Sequence, residues 1–234
     1  TGSAPLGIEV QVTASAFDTG VAAFDNATVY RYRIVNRNTA PIEAGHASFW
    51  TDFDLGTFWD DYVGSDSLRH MAFVYNGQAP DEEYGTPPAF GVDVLSGAAS
   101  VIFPYKSGPF PTSESAQGPD EHYQFMQGRW RDGSPVTEQG FGFDTDGASV
   151  AWMYPGDPVA QDFWSLENID GNGTEAAFGD MRGLANSPAF DLAPGDAYQF
   201  DVALLFAQGT DRLDSVAELR RASARIQAAY AAGL

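Results

Sequence analysis

The sequence predicts an all-β chain: one β-sandwich-like domain over residues 1–234, with long loops and a C-terminal α-helix. Three observations predict it. Several short segments alternate apolar and polar residues with period 2. Gly (25) and Pro (14) make up about one residue in six, which fits many turns between short strands. Only the last twenty or so residues show sustained helical spacing.

Taken in order, residues 8–16 place Ile8, Val10, Val12 and Ala14 against Glu9, Gln11 and Thr13, as a strand would. Val29 to Val35 is β-branched and aromatic with the same period, and 36–41 reads as a turn. His46 to Phe53 is predicted to return as a strand ending in an acidic loop. Met71–Tyr75 is a strand closed by Asn76-Gly77, a strong turn signal. Short strands follow at Phe90–Leu95 and Ala99–Tyr105. Ser107–Pro119 is an exposed loop, and His122–Trp130 a short helix. Gly140–Tyr154 is hairpin-like around Asp144-Thr145-Asp146-Gly147. A long apolar strand spans Ala197–Ala207. The terminal helix, about 212–231, carries Leu213, Val216, Leu219, Ile226 and Tyr230 on one face. Ser215 with Glu218 reads as its capping box. Arg220, Arg221 and Arg225 point to its C-terminal half, and Gly233 to its close.

Charge narrows the function. Twelve basic residues against 32 acidic ones give a net charge of −20. Such a chain repels phosphate backbones, so nucleic-acid binding is excluded, and it avoids anionic membrane surfaces. No apolar run approaches the ~20 residues of a spanning helix, so membrane insertion is not expected. Asp (22) outnumbers Glu (10), and Lys106 is the sole lysine. An Asp-rich, Lys-poor surface suits a salt-adapted protein. With no cysteine, disulfides, thiolate metal sites and thiol catalysis are absent, and a secreted domain then needs another staple, such as a bound metal. A start at Thr1 without Met suggests a processed mature form.

The densest chemical constellation is residues 51–66. Asp52, Asp54, Asp60, Asp61 and Asp66 fall within fifteen residues, with Gly56 and Gly64 as pivots. On one compact loop these carboxylates would repel one another. A hard cation resolves this, and Ca²⁺ prefers six to eight oxygens from carboxylates, carbonyls and water. All five are therefore candidate Ca²⁺ ligands; the bland alternative is a solvated acidic loop. Asp144-Thr145-Asp146-Gly147 and Asp170-Gly171-Asn172-Gly173 resemble fragments of calcium loops but read better as Asx-rich turns.

Catalytic signals are thin. No nucleophile elbow, His-Glu-x-x-His or phosphate-cradling loop occurs, and His46, His70 and His122 are scattered. Glu82, Glu83, Glu121, Glu138 and Glu167 offer acid pairs of the glycosidase kind, as any acidic chain does. The five Trp and ten Tyr fit core positions, or sugar-stacking platforms where exposed.

One resemblance follows from the order of several motifs. They are Tyr30 to Asn36, Trp50 to Gly56, Asp60 to Asp66, Val74-Tyr75-Asn76, Tyr84 to Ala89, Tyr123 to Trp130, Tyr154 to Pro158, Gly179 to Gly183, Ala193-Pro194-Gly195-Asp196, and Ala207-Gln208-Gly209 before the helix. Over most of residues 28–230 the chain resembles an uncharacterised extracellular module of Bacteroidetes and Rhodothermota-type bacteria, found in surface proteins with a type IX secretion sorting domain. The resemblance implies export, display or release outside the cell, and a non-catalytic role. The chain departs from the family in having Ser65 where relatives usually have Cys, and in ending at Leu234 with no sorting domain, which implies cleavage or a different assembly.

The leading expectation is thus an extracellular or cell-surface structural or adhesive module stabilised by Ca²⁺. Its partners would be further copies of itself or other surface proteins, with residues 8–16 available to pair with a neighbour's sheet edge in an assembly or filament. The alternatives are a carbohydrate-binding module using exposed Trp and Tyr to hold glycans, and a glycoside hydrolase with an Asp/Glu pair.

Overall fold

The computed structural model describes residues 5–105, 111–177 and 179–234. Lys106 and the first residues of the Ser107–Pro119 loop lie outside them. In chain order the strands are β1 (Ile8–Ala16), β2 (Ala27–Asn36), β3 (Ile42–Gly45), β4 (Ser48–Phe53), β5 (Asp61–Asp66), β6 (Met71–Asn76), β7 (Ala89–Val94), β8 (Ser100–Ile102), β9 (Met181–Asn186), β10 (Phe190–Leu192) and β11 (Ala197–Ala207). The helices are α1 (Ala22–Asp25), α2 (Pro119–Met126) and α3 (Arg212–Ala231).

A six-stranded antiparallel sheet runs in the order β1-β2-β11-β7-β6-β5. A three-stranded sheet runs β4-β9-β8, and β10 pairs with β3. The chain is therefore antiparallel β-structure with a C-terminal helix.

Alternation explains what covers each face of the large sheet. On one face α3 packs across β7 and β11. Its Leu219 lies where Gly91 leaves room, its Ser223 and Gln227 reach Asp93, and its Tyr230 hydroxyl donates to Asp201 at 2.7 Å. On the other face Val74 and Phe90 sit beside Phe53 and Leu55, while Tyr32, Ile34 and Phe200 line a hollow with Phe49 and Trp50. One apolar cluster links these layers, from Ala27 to Ile226, and Trp130 and Trp164 are fully buried in it.

Helix α3 spans the residues its spacing predicts, but its start differs from the expected capping box. Asp211 is the N-cap, and its carboxylate accepts from the N–H groups of Leu213 and Asp214 at 2.9 and 2.8 Å. Ser215 is buried instead, with its hydroxyl 2.7 Å from the Pro87 carbonyl. The three arginines stop short of the last turn. Gly233, at φ +104°, ends the helix: its N–H reaches Tyr230 O while that of Leu234 reaches Ala229 O, the paired bonds of a Schellman close. Helix α2 begins at Pro119, three residues before the expected start, because proline is favoured in a first turn. Among the described residues no helix is long and apolar enough to cross a membrane.

Candidate cation site

The five aspartates predicted as ligands do not converge on one point, because residues 51–66 are not one loop. Asp61–Asp66 is strand β5, buried along nearly its whole length. Its residues lean over both faces of the sheet, which separates Asp61 from Asp66.

Asp66 lies at the far end of β5 and is already compensated. Arg69 approaches it at 2.7 Å and Arg220 at 3.4 Å, and the N–H groups of Leu68 and Arg69 donate to it. Expected as a calcium ligand, it serves instead to anchor the β5–β6 turn to α3.

Asp52 and Asp54 are exposed at the end of β4. With half-buried Asp180 they bring one carboxylate oxygen each within 4.8 Å of one another, an arrangement able to hold a metal ion. Arg182 stands directly across the β4–β9 ladder from Asp52. It pairs with Asp52 at 3.1 Å and lies 3.8 Å from Asp180, so positive charge already reaches this cluster.

The buried cluster is different. Asp60 and Asp61 are 1% and 0% exposed, and Asp81 joins them at 3%. Among the described residues none of the three makes an ion pair. The turn that assembles them depends on Gly56. Its φ is +64°, and a Cβ there would lie 2.3 Å from Asp81 Oδ2. Beyond it the Thr57 N–H donates to Asp81 at 3.0 Å, and the Asp60 N–H closes back on Thr57 O at 3.1 Å. Glu83 and Tyr84 N–H groups hold the other Asp81 oxygen at 2.9 and 2.7 Å.

Asn76 stands at the centre of this group. Its Nδ2 donates to Asp60 Oδ1 at 2.7 Å and to the Leu55 carbonyl at 3.0 Å, and lies 3.5 Å from Asp81 Oδ2. Its own Oδ1 is buried with no hydrogen-bond partner, and so is Asp61 Oδ1. Asp61 Oδ2 has one donor, Leu55 N–H, at 3.3 Å.

The electrostatics follow. Burial pushes the Asp61 carboxyl up to about 9; the Leu55 N–H opposes this, and the charges of Asp60, Asp54 and Asp81 add to it. Burial also acts to raise Asp81, but three backbone N–H donors outweigh it and hold that group below its ordinary value. Of the three buried carboxyls, Asp60 is bonded by the Asn76 amide, Asp81 by backbone N–H groups and Asp61 by the Leu55 N–H alone. A side-chain amide reverses its O and N by a 180° turn. So turned, Asn76 would present an oxygen beside Leu55 O and Asp60 Oδ1, hard oxygens of the kind Ca²⁺ takes, although among the described residues the group of carboxylates that gathers within 4.8 Å is Asp52, Asp54 and Asp180.

Sequence reasoning found Asp60 and Asp61 but missed three members. Asn76 read only as a turn residue, Asp81 lay in a loop between strands, and the Leu55 carbonyl has no signature in sequence. The Asp170 segment is an Asx turn, with its carboxylate accepting from Asn172 and Thr174 N–H groups at 2.8 and 3.3 Å.

The acid–base candidates are engaged elsewhere or dispersed. Glu167 is fully buried and bound in two prongs by Arg212. The His70 ring lies 3.1 Å from Ala98 O and His46 3.4 Å from Ser187 O. Of the tryptophans, Trp50 and Trp59 are about half exposed, and Trp50 lines the hollow of about 370 Å³ beside Tyr32 and Phe200.

No protein-family model and no curated protein matches the chain, so its own residues carry the functional argument.

Proposed function

We propose that this chain is an extracellular, non-catalytic structural or adhesive module of sandwich type, with a Ca²⁺ ion locking the corner between β4, β5 and β6. One observation carries the reading. Asp60, Asp61 and Asp81 are each buried with no ion-pair partner among the described residues, and Asp61 Oδ1 and Asn76 Oδ1 lack any hydrogen bond. A buried carboxylate without a counter-charge is costly, and a divalent cation removes that cost. Asp60, Asp61, Asp81, Asn76 and the Leu55 carbonyl would hold the ion. Its role is structural: it ties the Gly56 turn to β5 and β6, the work a disulfide does in other secreted domains. The extracellular setting rests on the resemblance to surface modules.

The test is thermal unfolding in EDTA and then in millimolar Ca²⁺, at one fixed high NaCl concentration. A ligand specific to the folded state adds about 2.7 kcal/mol at a hundredfold excess over Kd. The midpoint is expected to rise with Ca²⁺, Asp60→Asn to abolish the rise, and Asp54→Asn to keep it. Equal midpoints in EDTA and Ca²⁺ overturn the reading. If Asp54→Asn alone abolishes the rise, the exposed Asp52–Asp54–Asp180 cluster is the site instead.

A second reading, a carbohydrate-binding module, is favoured by the exposure of Trp50 beside a hollow lined by Tyr32 and Phe200. Quenching of Trp fluorescence by soluble glycans, lost in Trp50→Ala, would support it. An unchanged spectrum across a glycan panel removes it.

A further inference from the structure

The two edges of the six-stranded sheet are treated very differently. The β5 edge is closed. Ser65 N–H donates to Tyr154 O at 3.0 Å, the Ser65 hydroxyl donates to Met153 O at 2.8 Å, and Asp61 to Ser65 are buried. The β1 edge is open. Among the described residues β1 has no backbone hydrogen bonds beyond its ladder with β2, which the Arg37 N–H to Gly7 O bond extends.

Sheets that stay monomeric blunt such an edge with Pro, Lys, inward charges, bulges or very short strands. Strand β1 has none of these. It is nine residues long, pairs with β2 in unbroken register and contains neither Pro nor Lys. Its one charge, Glu9, is matched by Arg37 at 2.7 Å. On one face it presents Ile8, Val10 and Val12, each 40–52% exposed, continuous with Tyr32 and Ile34 of β2. In a chain of net charge −20 this edge carries a single acidic residue, with Arg31 and Arg33 on the neighbouring strand.

The strand is also complementary to itself. Consider two copies antiparallel about a two-fold axis through Val12 and normal to the sheet. Val12 then faces the partner's Val12, Val10 faces the partner's Ala14 and Ile8 faces the partner's Ala16. On the other face Glu9 meets the partner's Ser15, and Gln11 the partner's Thr13. No like charges oppose one another, and apolar residues stay on one face across the junction.

We propose that the occupant of this edge is a second copy of the same chain, joined β1 to β1 so that two six-stranded sheets become one. Because β5 is closed, a head-to-tail β1-to-β5 contact is blocked. The assembly is therefore a closed two-fold pair and not the filament that an open sheet would build. The inference is independent of the cation reading, since β1 lies at the opposite edge from Asp61.

Sedimentation velocity of the whole chain, over a range of protein and NaCl concentrations, tests it. The expected result is a monomer–dimer equilibrium that shifts toward dimer as salt screens the −20 charge of each copy. Val12→Lys sets two like charges at the axis and should give monomer with the unfolding midpoint of the dilute, monomeric parent, because that side chain is exposed. Val12→Cys should form a disulfide-linked dimer under mild oxidation, while Thr13→Cys, out of register with itself, should not. Monomer under all conditions overturns the proposal, as does growth of open polymers. A dimer that survives Val12→Lys overturns the assignment to β1.

Discussion

Asp61 and Asn76 face each other directly across the β5–β6 ladder, and each holds a fully buried side-chain oxygen that nothing donates to. This pair yields the sharpest variant. Asn76→Asp removes the amide that donates to Asp60 and adds a fourth carboxyl to the buried group. In EDTA it should lower stability by roughly 1–3 kcal/mol, the cost of an unsatisfied buried polar group. In Ca²⁺ it should recover more than the parent protein gains. Denaturant midpoints in the two conditions measure both, and a variant with the parent's Ca²⁺ response would remove Asn76 from the site.

Arg212, the first residue of α3, holds the fully buried Glu167 in two prongs. Arg212→Ala leaves that carboxylate without its counter-charge and should cost about 3–5 kcal/mol. Pairing Arg212→Met with Glu167→Gln should restore most of the loss, since neither charge is then stranded. Urea unfolding of the single and double variants separates the two effects. Additive losses would mean that the pair is not coupled.

Stability should fall with rising pH through two buried carboxyls, Asp61 and Asp93, of which Asp93 titrates at the lower pH. Burial pushes the Asp93 carboxyl up to about 6, against the lowering effect of hydrogen bonds from Ser223 and Gln227. The folded protein therefore keeps this proton after the unfolded chain, with its carboxyl near 3.8, has lost it. The stabilisation is complete below about pH 4 and disappears as pH rises through 6, by at most ~3 kcal/mol. Asp93→Asn cannot titrate and should make that part of the stability profile shallower, leaving the slope that Asp61 contributes. Parallel profiles for parent and variant between pH 4 and 7 would show that Asp93 is not one of the groups responsible.

Ser65 closes the β5 edge through its hydroxyl bond to Met153 O. Ser65→Ala should cost about 1–2 kcal/mol, since a buried carbonyl loses its partner. Hydrogen exchange should quicken at Ser65 itself, whose N–H bonds Tyr154 O, before it does in β6. Uniform exchange across both strands would show that the edge opens only with the whole sheet.

Much of the fold was legible because its clearest elements advertise themselves. Residues 8–16 alternate cleanly, Ala197–Ala207 is a long apolar run, and the helix spacing predicts Arg212–Ala231 closely. Strand β5 was hidden. Asp61, Gly64, Ser65 and Asp66 are turn and surface residue types, and only tertiary cover turns them inward. Strand β9 carries Arg182, Gly183 and Asn186, and β3 and β10 are short, so none shows a period. The strand predicted from His46 to Phe53 is β4, which begins two residues later at Ser48, after the short β3 that ends at Gly45. The candidate site was half legible for a related reason. Local density exposed Asp60 and Asp61, whereas Asn76 and Asp81 arrive by strand pairing and the Gly56 turn.

The position of β11 bears on how the chain is made. It lies between β2 and β7 and pairs with both, yet it follows both in the sequence, spanning Ala197–Ala207. As the chain emerges from its N-terminus, the β1–β2 hairpin and the β5–β6–β7 meander can each form early. They cannot join until the last long strand arrives and slots between them. Until then Val29 to Val35 and Ala89 to Val94 present two raw edges destined for the same insert. Vectorial synthesis thus delivers β1–β2 and β5–β6–β7 before the strand that joins them, so the sheet closes only once β11 has been made.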